Sequence, residues 1–344
     1  MAVDSNALTL VDYANMRNDP LVTKIVMSLF DVGNLVDDIP LVTSQTLMQN
    51  GIRFIDNLPV PAWRQLNQLP TITKGQPTPW QEQLYIVSSQ FQMEKRFLRE
   101  KNAIQDPMEI QFNAWMEAWA YTWNNIFFNN AHDGATGHDN NAPVGLKTRI
   151  ANYQQYGVAS DMAINGNTIA TTTIDLSAVT ASTANDVIDG VNQLLINMNA
   201  PDGTNVVLYM NERMSIKFLR AIRSLGAGGG FNTQKDAFGR EIEYYRNAKI
   251  RRAGRKVDQT TQVLGDEAID GTDYVSGSKY ASIFGVRYGK DTFAGWQDCE
   301  LKPQNLGVDP SNGVMVNALI DWGVGLWQSH TRAVGRLYNI KVVA

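Results

Sequence analysis

Asp106-Pro107-Met108-Glu109 opens the stretch that decides the fold, and the apolar series Met108, Phe112, Trp115, Trp119, Trp123, Ile126 and Phe127 carries it on to Asn129-Asn130. Asp is a good N-cap, Pro suits the first helical position, and Glu109 can complete a capping box. Apolar spacings of three and four continue for about six turns, which at 1.5 Å per residue predicts a helix roughly 35 Å long. The three tryptophans read as a core stripe; a stacking platform for sugars or bases is the alternative.

Toward the N-terminus the character changes. Residues 41–100 carry prolines at 59, 61, 70, 77 and 79, with strand-like runs between them at Ile52 to Asn57, Trp63 to Leu69 and Gln83 to Glu94. This predicts a long two-stranded excursion with its tip near residues 69–78. A lone hairpin is marginal in water, so an excursion of this length needs something to lie on, which another chain can supply. Trp63, Arg64, Lys74 and Trp80 lie on or near it, and aromatic and Arg residues are types that anchor interfaces. Further back, residues 1–19 read as a polar arm. Asp19-Pro20 starts a helix through Leu21, Ile25, Leu29, Val32 and Val36 that fades at Asp37-Asp38-Ile39-Pro40.

Toward the C-terminus, a polar loop from Ala131 to Asn141 leads to Pro143-Val144-Gly145-Leu146, and residues 147–182 are expected to form short strands and loops. A second unit begins near Thr183, where Thr183 and Asp186 suggest a capping box for a helix facing inward through Ile188, Val191, Leu195 and Met198. Val206 to Met210 is wholly apolar and predicts a buried strand. Asn211 can cap the next helix, with Met214, Phe218, Leu219 and Ile222 on one face, and Gly226 to Gly230 breaks it. Helix, buried strand and helix suggest a small α/β unit. Strand-like runs at Tyr280 to Tyr288, Val314 to Trp327 and Ala333 to Val343 close the chain.

Composition narrows function. With 44% hydrophobic and 19% charged residues, the 344-residue chain can bury a core. A net charge of −4 argues against a protein whose main task is gripping nucleic acid. Cys299 stands alone, so it forms no intramolecular disulfide, and a buried or inert thiol is expected. The opening Met1-Ala2-Val3-Asp4-Ser5-Asn6 lacks a basic n-region, and no run approaches the ~20 apolar residues of a membrane span.

Chemical motifs are sparse. His132, Asp133, His138 and Asp139 share one loop, but their spacing matches no ordered zinc or calcium loop; a metal-dependent enzyme built there is the minor alternative. His330 stands apart. G-x-S-x-G, G-x-x-x-x-G-K-[ST] and H-E-x-x-H are all missing. The densest basic stretch holds Lys249, Arg251, Arg252, Arg255 and Lys256. It could face nucleic acid, pair with carboxylates of a neighbouring subunit, or be solvated.

The order of elements resembles the major capsid proteins of tailed double-stranded DNA bacteriophages with the HK97-type fold. The matching residues are the spine-like helix Pro107–Asn129, the loop and re-entry from Asn129 to Gly134 with Pro143 to Leu146, the segment Leu208 to Arg213, and the tail from Gly323 to Leu337. The resemblance implies an α+β fold with an N-terminal arm at 1–40, an E-loop at 41–100, a P-domain at 101–182 joined by 326–344, and an α/β A-domain at 183–325. It implies a non-enzymatic, cofactor-free subunit that self-assembles into hexamers and pentamers of an icosahedral head. The E-loop residues Trp63, Arg64, Lys74 and Trp80 would make intersubunit contacts. Implied partners are a separate scaffolding protein, a portal, a decoration or cement protein, and packaged double-stranded DNA contacted weakly. The resemblance places the protein in the virion, assembled in the host cytoplasm. Nothing marks a reactive Lys–Asn pair, so no covalent crosslink is expected. An encapsulin-like nanocompartment shell is the alternative within the fold.

Overall fold

The computed structural model describes residues 34–44, 46, 48–53, 58–75, 78–94, 107–135, 137–169, 173–226, 230–235, 241–299, 303–308 and 313–343. The polar arm and most of the first expected helix lie outside these residues, as do Asp106 and the middle of the Gly226 to Gly230 run. Among the described residues the helices are α1 (Asn34–Asp38), α2 (Pro107–Asn129), α3 (Leu146–Ala151), α4 (Tyr153–Tyr156), α5 (Gly166–Ile169), α6 (Ala181–Asn197) and α7 (Glu212–Ser224). The strands are β1 (Leu41–Thr43), β2 (Met48–Arg53), β3 (Thr78–Gln83), β4 (Tyr85–Glu94), β5 (Ala163–Asn165), β6 (Ile174–Asp175), β7 (Val206–Met210), β8 (Phe231–Lys235), β9 (Glu241–Tyr245), β10 (Ala248–Arg252), β11 (Lys279–Arg287), β12 (Phe293–Gln297), β13 (Pro303–Val308), β14 (Met315–Gln328) and β15 (Val334–Val343).

These strands form three sheets. Eight strands run in the order β5-β15-β11-β7-β10-β9-β8, with β6 beside β15. Five more run β1-β12-β14-β13, with β4 on the other edge of β14. β2 and β3 pair only with each other. The wholly apolar β7 is buried along its full length at the centre of the large sheet, as its sequence requires. Helices α6 and α7 cover one side of that sheet. Gly285 and Gly335 let α6 press close, since a Cβ at either would sit 2.7 or 2.8 Å from Met198 or Leu194.

Helix α2 binds the two larger sheets together. Trp119 stacks on Trp123 at 5.6 Å and meets Trp322 of β14 edge-on at 4.9 Å. One to two turns later, Phe128 packs edge-on against Tyr209 of β7 and Phe284 of β11. Phe127 reaches Phe293 of β12. The aromatic stripe is therefore core: Trp119, Trp123, Phe127 and Phe128 are all buried. Trp115, a turn earlier, is half-buried against the same core. Met108 and Phe112 have side chains outside the described residues.

Several expectations are corrected. Residues 147–182 hold three short helices and a 3-10 turn besides the short strands β5 and β6. Helices of four to six residues are too short to display a period, and the buried Arg149 in α3 breaks the apolar pattern. Helix α6 is capped by Thr180, whose hydroxyl accepts from the Thr183 amide while Thr183 bonds back to the Thr180 amide, instead of by the Thr183–Asp186 pair. Residues 83–94 are not one strand: Leu84 separates β3 from β4, and the two belong to different sheets. Trp63 to Leu69 forms no strand. Prolines at 59, 61 and 70 remove ladder donors around it, and among the described residues it has no partner strand. Cys299 is exposed, not buried.

Candidate assembly interface

β2 and β3 form the stem of the excursion, antiparallel from Met48 opposite Gln83 to Arg53 opposite Thr78. Its root is pinned to the body. Arg149 of α3, 1% exposed, makes a bidentate ion pair with Glu82 of β3; Nη1 reaches Oε1 and Nη2 donates to Oε2 at 2.9 Å. Arg149 Nε donates to the Val144 carbonyl at 2.8 Å, and the guanidinium lies over the Tyr156 ring. Burial opposes the Arg149 charge, but attraction and hydrogen bonding to Glu82 outweigh it and hold its pKa above the ordinary value. Beside this pair Leu84 is buried over Gly323, which leaves no room for a Cβ there. Tyr85 meets the His132 ring edge-on at 6.1 Å.

Beyond the stem the chain leaves the body. Residues 58–74 are exposed throughout. Trp63, Leu66, Leu69 and Ile72 are each more than 90% exposed, and Leu58 and Val60 are 70% and 74% exposed. The contacts within this segment are local. Gln68 donates its amide to the Gln65 carbonyl around Asn67, which sits at φ 70°, and Arg64 Nη1 donates to the Gln68 carbonyl at 2.9 Å. Lys74 is exposed. Trp80 lies in β3 opposite Gly51; its side chain is outside the described residues. Full burial of each such apolar side chain is worth about 1.5–3 kcal/mol, and among the described residues this segment gains little of it.

The basic stretch divides. Lys249 Nζ donates to Asp38 Oδ1 at 2.9 Å. Arg251 pairs with Asp37 at 3.2 Å and Asp38 at 3.4 Å, and Arg255 with Glu212 at 3.2 Å. Three of the five cations are thus neutralised inside the chain. Arg252 is exposed and Lys256 half-buried. Burial works against the charges of Lys249 and Arg251, but Asp38 more than compensates and holds both pKa values raised.

The histidine loop does not converge on a metal. His138 Nδ1 lies 2.6 Å from Asp133 Oδ1, whereas His132 Nε2 turns to the Ala142 carbonyl at 2.7 Å. Asp139 accepts from the Asn141 amide. The His138 hydrogen bond, with that of the Ala135 amide, lowers the Asp133 pKa. Among the described residues no group of three or more His, Cys, Asp or Glu side chains could hold a metal ion. The metal-enzyme alternative loses its geometric basis. Among them also, no helix is long and apolar enough to cross a membrane.

Sequence reasoning missed the Glu82–Arg149 pin and the Asp37–Asp38 partners of the basic strand. A signal for the first existed: Glu82 is the single acidic residue between Leu58 and Met93. A lone carboxylate in a run whose other charges are only Arg64 and Lys74 invites a specific partner.

No protein-family model and no curated protein matches the sequence. Solved structures do match in shape. The SrpI encapsulin of Synechococcus elongatus PCC 7942 aligns over 98% of both chains at 12% identity, with a TM-score of 0.58. The capsid of the native GTA particle aligns over 92% of this chain and 90% of its own at 17% identity, with a TM-score of 0.54. The capsid of Myoviridae Phage XM1 covers 87% and 89% at 11% identity, with a TM-score of 0.51. The fold is therefore the mixed α+β, HK97-type fold of capsid and encapsulin shells, as the element order suggested.

Proposed function

We propose that this chain is a structural shell subunit, and specifically the major capsid protein of a tailed double-stranded DNA phage head. The observation that carries the reading is the excursion: a stem fixed to the body by a buried ion pair presents a 58–75 segment whose apolar side chains stand exposed, without a partner among the described residues. A rigid root with an unsatisfied tip suits an arm laid on another copy. In this reading residues 48–83 are the assembly arm, Trp63, Arg64, Lys74 and Trp80 contribute to its contacts, α2 is the spine, and α6, β7 and α7 belong to the A-domain. Copies join by heterologous contacts that close into hexamers and pentamers. No residue is assigned a catalytic role. Lys249, Arg251 and Arg255 serve as charged contacts within the subunit, which leaves Arg252 and Lys256 for weak contact with packaged DNA. A scaffolding protein, a portal and a cement protein complete the list of partners, and assembly takes place in the host cytoplasm.

A second reading, an encapsulin-like compartment around a protein cargo, is favoured by end-to-end similarity to the SrpI shell. Cryo-electron microscopy of the expressed chain, alone and with the products of its neighbouring genes, tests both. Closed icosahedral particles support a shell subunit, and portal and DNA within them support the phage head. Particles filled by an enzyme encoded next door would favour the compartment. A strictly monomeric species under all these conditions would overturn both.

A further inference from the structure

Asp38 ends α1 with its side chain wholly buried. Lys249 Nζ and the Tyr209 hydroxyl donate to its two oxygens at 2.9 and 3.1 Å, and Arg251 lies at 3.4 Å. The Tyr209 oxygen is also 2.9 Å from the Tyr288 hydroxyl. Tyr288 stands where the chain leaves the eight-stranded sheet at the end of β11; five residues later it enters the five-stranded sheet as Phe293 of β12. Immediately after Asp38 the chain pairs with that same β12. Gly295 donates to the Pro40 carbonyl at 3.0 Å, Leu41 lies opposite Gly295, and Ser44 donates to the Gln297 carbonyl at 2.8 Å. A Cβ on Gly295 would sit 2.7 Å from Leu41 and 2.9 Å from Ile39, so the strap lies directly on the strand. The contacts close a ring: Asp38 to β7, β7 to the β11–β12 crossover, the crossover to β12, and β12 back to the strap.

We propose that residues 34–44 are a strap that fixes the angle between the two large sheets, and that the Asp38 pin thereby sets the curvature at which subunits join. The proposal rests on the shell reading above. A buried carboxylate with fixed donors tolerates one geometry, whereas apolar packing accepts many; this is the setting in which a buried ionic group can confer specificity. The five-stranded sheet carries the root of the assembly arm through β4 and Leu84, and the eight-stranded sheet carries the α6–β7–α7 unit. Their mutual angle therefore decides how an arm meets its neighbour.

The test uses the full chain with Asp38→Asn and, separately, Tyr288→Phe, each assembled as the parent is. Near-ultraviolet circular dichroism checks the fold, and cryo-electron microscopy reads particle diameters. We expect folded variants that give a broadened or shifted diameter distribution, or open curved sheets, with the larger effect for Asp38→Asn. Folded variants that make shells of the parent's diameter and spread would overturn the proposal. Should Asp38→Asn fail to fold, Tyr288→Phe, which keeps the ring and loses one hydroxyl, decides alone by the same criterion. Should the parent itself form no shell, the shell reading fails. The strap is then judged by hydrogen exchange in Tyr288→Phe at the Ser44 and Gly295 amides: tenfold or faster exchange than in the parent supports it, and unchanged protection overturns it.

Discussion

Arg149 carries its charge into the interior because Glu82 is there to receive it in bidentate geometry. Breaking such a pair leaves a desolvated guanidinium without its counter-charge and costs about 3–5 kcal/mol. Glu82→Gln should therefore lower the unfolding free energy by about that amount, read from urea titrations. The double variant Glu82→Leu with Arg149→Met should recover most of the loss. If the double variant instead loses the sum of the two single losses, the pair is not coupled and does not pin the stem. At this scale the sequence is least informative. The density of cations from Lys249 to Lys256 is plain, but Lys249 finds its partner Asp38 at a separation of 211 residues, and no local spacing encodes that. Asn211 is the opposite case. Its capping oxygen accepts from the Met214 amide at 2.7 Å, a contact three residues long and thus readable in advance.

The spine helix was legible to its ends because six turns of apolar period and an Asp-Pro start leave little freedom. It runs over Pro107–Asn129 as expected. Its central contact is Trp119, 6% exposed and held between Trp123 and Trp322. Trp119→Ala should cost about 3–5 kcal/mol and sharply reduce soluble protein. A variant of parental stability would show that the helix does not join the sheets through this residue. Elements fixed by neighbours instead of by period were harder to read. Helices α3, α4 and α5 span one turn or little more and are held by packing. The break at Leu84 follows from two sheets claiming the strands on either side of it, and nothing in the run Gln83 to Glu94 announces this.

For the whole molecule, two sheets share one spine, a strap closes over their crossover, and an arm leaves the body with its apolar residues exposed. The fold class and the small α/β unit were readable from the order of helix, buried strand and helix after a long proline-punctuated excursion, whereas the strand order of the two sheets and the strap were not, since they rest on pairings distant in sequence. The tip's conformation was not, because among the described residues its contacts are local and no sheet or helix of the body fixes it. The central claim, that the arm serves another copy, meets its most direct test in a shortened arm. Arg53 and Thr78 already face each other across the ladder, so residues 54–77 can be replaced by an Asn-Gly turn without disturbing the stem. Thermal unfolding of the dissociated subunit and particle formation by electron microscopy are then compared with the parent. We expect a melting temperature within a few degrees of the parent's and complete loss of closed shells. Shells formed as well by the shortened chain as by the parent, or a subunit that unfolds without its arm, would contradict the account.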